Sequence, residues 1–186
     1  MPGKAVLVID MLNDFVKGSL KCERAGRIIA PLQRLIYQAR HSGIPVIYCN
    51  DAHFKGMDRE LLLWGEHALK GSEGAQVIQE LEPSPEDYVV PKRRYSAFFQ
   101  TDLKLLLEEL QVDTLIVTGL LVNICVRHTA ADAFYWGYRL FIPKDATEDL
   151  TEEDYLRGLE YMAKMYGAQI TTVEELLKSF RDFSTL

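Results

Sequence analysis

The feature that most constrains the fold is an alternation of short apolar runs with longer segments of helical periodicity. The runs are apolar on both faces, as parallel strands buried under helices require. They lie at residues 4–10 (KAVLVID), 45–50 (PVIYCN), 87–91 (DYVVP), 113–119 (DTLIVTG), 138–143 (YRLFIP) and 168–173 (AQITTV). This pattern predicts an α/β fold with an open, mostly parallel six-stranded sheet and helices on both faces, in the Rossmann-like class.

Helical periodicity fills most of the intervals between these runs. Apolar residues recur at helical spacing over residues 28–40, 101–110 and 152–165, and a further helix is predicted over residues 125–136. The last helix is predicted to begin at Thr172, where the sequence Thr-Val-Glu-Glu matches a capping box. The irregular stretch 51–74 is the one long connection, and it is long enough to carry a site.

Length and charge limit the classes of function. The 186 residues fit one domain spanning residues 1–186, and the net charge of −6 argues against a nucleic-acid partner. No apolar run approaches the roughly 18 residues needed for a membrane span, and no signal-peptide pattern is found. Three widely spaced cysteines do not make a disulfide framework. We therefore expect a cytoplasmic protein in which a lone thiol stays reduced.

Reactive side chains follow four consecutive predicted strands. Asp10 ends the first, Asp51 and His53 follow the second, Lys92 follows the third and Cys125 follows the fourth. In open α/β sheets, ligands bind beyond the carboxyl ends of the strands. The sequence therefore predicts that these side chains meet at one edge of the sheet.

Cys125 is the candidate nucleophile. It is predicted to lie at the start of a helix, where free N–H groups and the helix dipole would stabilise a thiolate or an oxyanion. Lys92 follows a buried strand and could lower the pKa of the thiol, whereas its neighbours Arg93 and Arg94 are interpreted as a solvated basic patch. Asp10 is the candidate base that takes the thiol proton and returns it to a leaving amine.

Cys22 and Cys49, in contrast, are interpreted as buried packing residues, which is the common state of a free cysteine. His128 falls one turn after Cys125 in the predicted helix and could form a Cys–His pair, but Asp10 and Lys92 make a histidine base unnecessary.

A second group of residues predicts a metal site. Asp51, His53, Glu60 and His67 lie within or beside one irregular stretch, and together they offer nitrogen and oxygen ligands to a divalent ion. Zinc is the expected ion, with iron or manganese as alternatives. The competing interpretation is a set of exposed polar loop residues.

At these residues the sequence resembles the isochorismatase-like cysteine hydrolases, and within them the nicotinamidase/pyrazinamidase group. Residues 8–15 (VIDMLNDF) resemble the first family motif, and the segment from Gly119 to Cys125 resembles the approach to the nucleophile. Lys92 lies in a Lys-x-x-Tyr-Ser-Ala-Phe context that matches the catalytic lysine. Asp51, His53 and His67 match the metal triad of nicotinamidases.

The resemblance also implies a substrate pocket. Phe15, Trp64 and Tyr95 resemble the aromatic residues that enclose a pyridine ring. Leu120 and Leu121 fall where the family has a cis peptide bond, after which the N–H groups of Leu121 and Cys125 would hold the oxyanion. The sequence departs from the family pattern in the bulk of residues 120–123 and in the absence of a cysteine just after His67.

The predicted function is hydrolysis of nicotinamide, or of a close aromatic carboxamide such as pyrazinamide, through a cysteine thioester. Two alternatives stay open: a related hydrolase acting on another amide, a carbamoyl group or a vinyl ether, and a non-catalytic binding protein with a decayed site. We expect a small-molecule amide as partner, a homo-oligomeric assembly, and neither nucleic acid nor membrane.

Overall fold

A computed structural model describes residues 3–181, and within this range seven strands form one parallel sheet. The strands are β1 (Gly3–Ile9), β2 (Val46–Asp51), β3 (Tyr88–Lys92), β4 (Val112–Leu120), β5 (Arg139–Pro143), β6 (Thr147–Glu148) and β7 (Gln169–Thr171). Their order is β3-β2-β1-β4-β5-β7, and β6 pairs with the end of β4. The predicted fold class is confirmed. The extra strand β6 was missed because two residues carry no readable periodicity.

The α-helices of the described chain are α1 (Asn13–Val16), α2 (Gly26–His41), α3 (Glu60–Trp64), α4 (Leu103–Glu109), α5 (Arg127–Tyr135), α6 (Glu152–Tyr166) and α7 (Val173–Arg181). The capping box before α7 is present, because the Glu175 N–H donates to the Thr172 hydroxyl and the Thr172 N–H donates to the Glu175 carboxylate. The predicted helix over residues 125–136 is wrong in its first turn. A π-helical turn (Val122–Val126) precedes α5 there and carries Cys125.

Alternate residues of the central strands face two separate apolar layers. Along β1, Val6 and Val8 pack on one side of the sheet with α1, α2 and α7. Ala5, Leu7 and Ile9 pack on the other side with α4, α5 and α6. This alternation explains why the strands are apolar on both faces, and it buries the centre of the sheet completely.

No helix among residues 3–181 combines the length and apolarity that a membrane crossing requires. The carboxyl ends of β1 to β4 are all at the same edge of the sheet, since the strands are parallel. The chain leaves that edge through its least regular segments, and the candidate site lies there.

Candidate active site

Four strand ends bring the predicted chemical groups together. Asp10 directly follows β1, Asp51 ends β2, Lys92 ends β3, and Cys125 lies in the π-helical turn after β4. One ligand atom from each of Asp10, Asp51 and Cys125 lies within 4.8 Å of the others. A cavity of about 240 Å³ opens onto this edge, and all three of these residues line it.

Lys92 is the centre of this cluster. Its ammonium lies 2.7 Å from Asp10 Oδ2, 2.7 Å from Asp51 Oδ1 and 3.6 Å from Cys125 Sγ. Its side chain is fully buried, although lysine is among the residues least often found inside proteins. Asp10 is fixed in turn by the Asp51 N–H, which donates to Asp10 Oδ1 at 2.8 Å. The arrangement is a buried triad of charges with the thiol at its side.

The electrostatics of the cluster differ from the sequence-based expectation that Lys92 and the start of the helix lower the pKa of the Cys125 thiol. Burial raises the pKa of the Cys125 thiol well above its ordinary value, and the Lys92 ammonium only partly opposes this. Burial and the Asp51 carboxylate raise the pKa of Asp10, while Lys92 lowers it. Burial alone would lower the pKa of Lys92, but its two carboxylate neighbours raise it well above the ordinary value. The resting pair is therefore a neutral thiol beside a buried carboxylate of increased basicity.

The predicted metal ligands also converge. Asp51, His53 and His67 each place one ligand atom within 4.8 Å of the others, and all three are buried. His53 Nε2 is buried without a hydrogen-bond partner in the described chain, at 3.6 Å from Asp51 Oδ2 and 3.8 Å from Glu60 Oε2. A buried polar atom without a partner is costly, so this nitrogen fits a metal ligand.

His67 and Glu60, the other two side chains of the candidate metal site, are also consistent with cation binding. Nδ1 of His67 lies 2.8 Å from the Gly65 carbonyl oxygen, which can only accept. That bond leaves Nε2 of His67 as the free lone pair. Burial and the Asp51 carboxylate raise the pKa of Glu60 to about 7. These residues offer a mixed nitrogen and oxygen ligand set that suits zinc, iron or manganese.

Aromatic and aliphatic side chains form the walls of the cavity. Phe15, Trp64 and Tyr95, which the family resemblance implied for the pocket, line it, and the Trp64 indole N–H donates to the Tyr95 hydroxyl at 3.0 Å. Leu120 and Leu121 also line it, and the peptide bond between them is cis, as the family resemblance implied. The cavity wall further includes Ser19, Leu20, Lys21, Ile124 and Leu150, which the sequence did not single out.

The structure also places the neighbouring side chains that the sequence analysis left outside the catalytic group. Arg93 is more than part of a solvated basic patch, because its guanidinium donates to both oxygens of Asp58 while 42% of its side chain stays exposed. His128 is exposed and its Nδ1 is bound to the Ile124 carbonyl oxygen, so it forms no pair with Cys125. Cys22 and Cys49 are buried packing residues, as predicted.

Two carboxylates that support the site were missed by the sequence reasoning. Asp58 is buried beneath His53, and Arg93 holds the pKa of its carboxyl far below the usual range. Asp14 accepts the Ala68 N–H at 2.8 Å and so holds the chain just after His67. Acidic residues close to candidate histidine ligands were the available signal, but sequence spacing alone does not tell a supporting carboxylate from a solvated one.

Several known proteins are similar to this chain in sequence and structure. The family model of the isochorismatase domain matches residues 4–175. The solved structure of N-carbamoylsarcosine amidase from Thermoplasma acidophilum is 38% identical with a TM-score of 0.86, over 92% of this chain and 96% of that one. Nicotinamidase/pyrazinamidase PncA from Bacillus subtilis is 32% identical with a TM-score of 0.86, over 91% and 99%.

A third solved relative is the pyrazinamidase of Pyrococcus horikoshii in complex with zinc, which is 26% identical with a TM-score of 0.85, over 92% of this chain and 99% of that one. The parallel sheet and the thiol beside buried charges define the class, a protein of α/β architecture with a candidate cysteine nucleophile. Within that class, the chain belongs to the isochorismatase-like hydrolase family.

Proposed function

We propose that this protein hydrolyses nicotinamide, or a close aromatic carboxamide such as pyrazinamide, to the acid and ammonia. The observation that carries the proposal is that one aromatic-walled cavity contains both the Cys125 thiol and the candidate metal ligands Asp51 and His67. A flat heteroaromatic ring matches the apolar wall, and its carboxamide would reach the thiol. The resemblance to solved nicotinamidases supports the same substrate class.

The first half of the proposed reaction is acyl transfer to sulfur. Asp10 accepts the Cys125 proton as the sulfur attacks the amide carbon, so that no free thiolate needs to persist in the buried site. Lys92, which contacts both groups, balances the negative charge as it moves between them. The N–H groups of Leu121 and Cys125 would hold the oxyanion. Asp10 then gives its proton to the departing ammonia and leaves a thioester.

The second half is hydrolysis of that thioester. Asp10 is again a carboxylate, and it removes a proton from the attacking water while the Cys125 sulfur leaves and is reprotonated. When bound at Asp51, His53 and His67, a divalent ion supplies an electrophilic centre that can hold a ring nitrogen. Phe15, Trp64 and Tyr95 would orient the ring and exclude water from the reacting carbonyl.

A second candidate is hydrolysis of an N-carbamoyl acid. Lys21 lines the cavity, and its ammonium lies 2.8 Å from Glu23, so a substrate carboxylate could compete with Glu23 for this cation. The 38% identity to an N-carbamoylsarcosine amidase favours the same possibility. Both candidates use the same nucleophile on a carbonyl that carries an amino group, so they differ in the pocket and not in the chemistry.

An ammonia-release assay on a small panel tests both candidates. The panel contains nicotinamide, pyrazinamide, benzamide and N-carbamoylsarcosine, each with wild-type protein and with Cys125→Ala. We expect the highest kcat/KM on nicotinamide, a lower value on benzamide because it lacks the ring nitrogen, and a loss of at least about 10⁴-fold in Cys125→Ala.

Lys21→Met separates the two candidates further, because it would lower kcat/KM on the carbamoyl acid and leave nicotinamide turnover unchanged. Turnover of N-carbamoylsarcosine with none of nicotinamide would transfer the assignment to the second candidate. Activity in Cys125→Ala within a few-fold of wild type would remove the proposed nucleophile.

A further inference from the structure

Asp58 is a buried carboxylate that no catalytic step above uses, and both of its oxygens face hydrogen-bond donors. Its side chain is fully buried, although the segment that carries it is irregular. Oδ2 accepts the Phe54 N–H at 2.8 Å and lies 3.2 Å from His53 Nδ1. The Arg93 guanidinium donates to both oxygens, with Nε at 3.0 Å from Oδ1 and 3.1 Å from Oδ2.

The donors around Asp58 decide which nitrogen of His53 carries the proton. A backbone N–H and a guanidinium can only donate, so both carboxylate oxygens must act as acceptors. Asp51 and Glu60 face Nε2 only at 3.6 and 3.8 Å, beyond hydrogen-bond distance, whereas Asp58 lies 3.2 Å from Nδ1. Nδ1 of His53 therefore carries the hydrogen in the neutral ring, and Nε2 carries the lone pair. Nε2 is the buried atom without a hydrogen-bond partner in the described chain, and it faces Asp51 and Glu60.

We infer that Asp58, held by Arg93, is the positioning residue that fixes His53 as the Nδ1–H tautomer and so presents its Nε2 lone pair to the divalent ion. The inference rests on the proposed metal site, but the tautomer is a property of this chain without metal. Arg93 is itself fixed, because its guanidinium stacks 4.4 Å from the centre of the Phe54 ring. Carboxylate–histidine–metal relays of this kind commonly orient the ligand and increase its basicity.

Asp58→Asn tests the inference with almost no change of volume. Asparagine has one acceptor oxygen and an NH₂ group that only donates, so it cannot accept from Arg93, Phe54 and His53 together. With its oxygen turned to Arg93, its NH₂ group faces the imidazole. The expected result is a shift of neutral His53 towards the Nε2–H tautomer, which removes the lone pair that would bind the metal.

The matched control is Asp87→Asn. Asp87 is also a buried carboxylate bound by an arginine, since Arg40 Nε donates to it at 3.2 Å, and it also accepts a backbone N–H, that of Ser84, at 2.7 Å. It precedes β3, whereas the site lies beyond the end of β3. Loss of a buried ionic pair is therefore common to both variants, and contact with the candidate metal ligand is present in only one.

Two measurements apply to each variant. The first is the imidazole ¹⁵N shifts of metal-free, histidine-labelled protein at a pH where the rings are neutral, with His53 among the four histidines identified through a His53→Gln sample. The second is zinc affinity by competition with a chromophoric chelator. We expect Nδ1–H in wild type and Asp87→Asn, a tautomer shift in Asp58→Asn, and zinc binding weaker by about 10- to 100-fold in Asp58→Asn alone.

Arg93→Met covers the case in which Asp58→Asn does not fold. It leaves both oxygens of Asp58 as acceptors, so the Nδ1–H tautomer should persist, and zinc binding should weaken by less than about 10-fold relative to wild type. The inference is overturned by an Nε2–H tautomer in wild type, by an unchanged tautomer in Asp58→Asn, or by equal loss of zinc affinity in Asp58→Asn and Asp87→Asn. A wild-type protein that turns over amides without binding zinc would overturn the metal half of the inference and leave the cysteine mechanism standing.

Discussion

Replacing Lys92 with methionine tests whether the buried charge cluster acts as one unit. The ammonium lies 2.7 Å from Asp10 and 2.7 Å from Asp51, and its side chain is fully buried. At an effective dielectric constant of about 20, each contact corresponds to roughly 6 kcal/mol of gross attraction. The desolvation of all three charges offsets most of this sum.

The net effect follows from what Lys92→Met leaves behind. Two buried carboxylates would face each other without a cation, and breaking a buried pair in this way typically costs about 3–5 kcal/mol of unfolding free energy. Adding Asp10→Asn removes one of the two charges. The double variant should therefore be more stable than Lys92→Met alone, with a coupling energy of about 1–3 kcal/mol.

Catalysis should respond differently from stability. Both residues act on the Cys125 proton, so each single variant should lose about 10²- to 10⁴-fold in kcat/KM, and the double variant should lose little more than the worse single one. Stability would then be partly restored in the double variant, while activity would not return.

Urea unfolding in the presence of a chelator measures the first quantity, and ammonia release measures the second. Lys17→Met is the control, because Lys17 makes an exposed ion pair with Glu80 at 3.4 Å and its loss should change stability by less than about 1 kcal/mol. The reasoning is refuted if Lys92→Met is as stable as Lys17→Met, or if the losses of Lys92→Met and Asp10→Asn simply add in both assays.

Three further predictions use other parts of the site. A small thiol probe should modify Cys125 faster than the enclosed Cys22 and Cys49, because Cys125 lines the cavity. Intact-mass and peptide analysis would show the order of modification, and equal rates would contradict access to the thiol through the cavity. Removing the metal should raise KM for nicotinamide far more than it slows the labelling of Cys125, because Asp10 and Lys92 set the state of the thiol; full activity in chelated protein would contradict the metal's role in binding. Gly158→Ala should lower both stability and kcat. A Cβ at this position would lie 2.6 Å from the Val122 side chain and 3.3 Å from the backbone of the turn that carries Cys125. A wild-type Tm and kcat in this variant would show that the turn accommodates the extra methyl group without loss.

The fold was predictable because its dominant signal is local. Strands covered on both faces need continuous apolar runs, and such runs are visible at residues 4–10 and 113–119 without any structure. The strand β6 (Thr147–Glu148) is too short to form such a run, and it is recognised only through its pairing with the end of β4. The π-helical turn was also invisible, because its residues were consistent with an ordinary helix that begins at Cys125.

The residues of the candidate site were predictable from the sequence, whereas their protonation states were less so. The topological rule places Asp10, Lys92 and Cys125 at one edge, because parallel strands end on the same side of a sheet. The protonation of Cys125 could not be predicted in the same way. Burial raises the pKa of its thiol, and burial depends on the segments that close the cavity from elsewhere in the chain.

The sequence by itself determined the alternation of strands and helices, the residues at the strand ends, and the family to which they belong. Tertiary structure alone decided that Asp58 lies against His53 and that Arg93 binds this buried carboxylate. The physical reason is the range of the interactions. Periodicity and strand polarity are written in neighbouring residues, whereas the direction of a hydrogen bond and the desolvation of a charge depend on atoms that only the folded chain brings within about 3 Å.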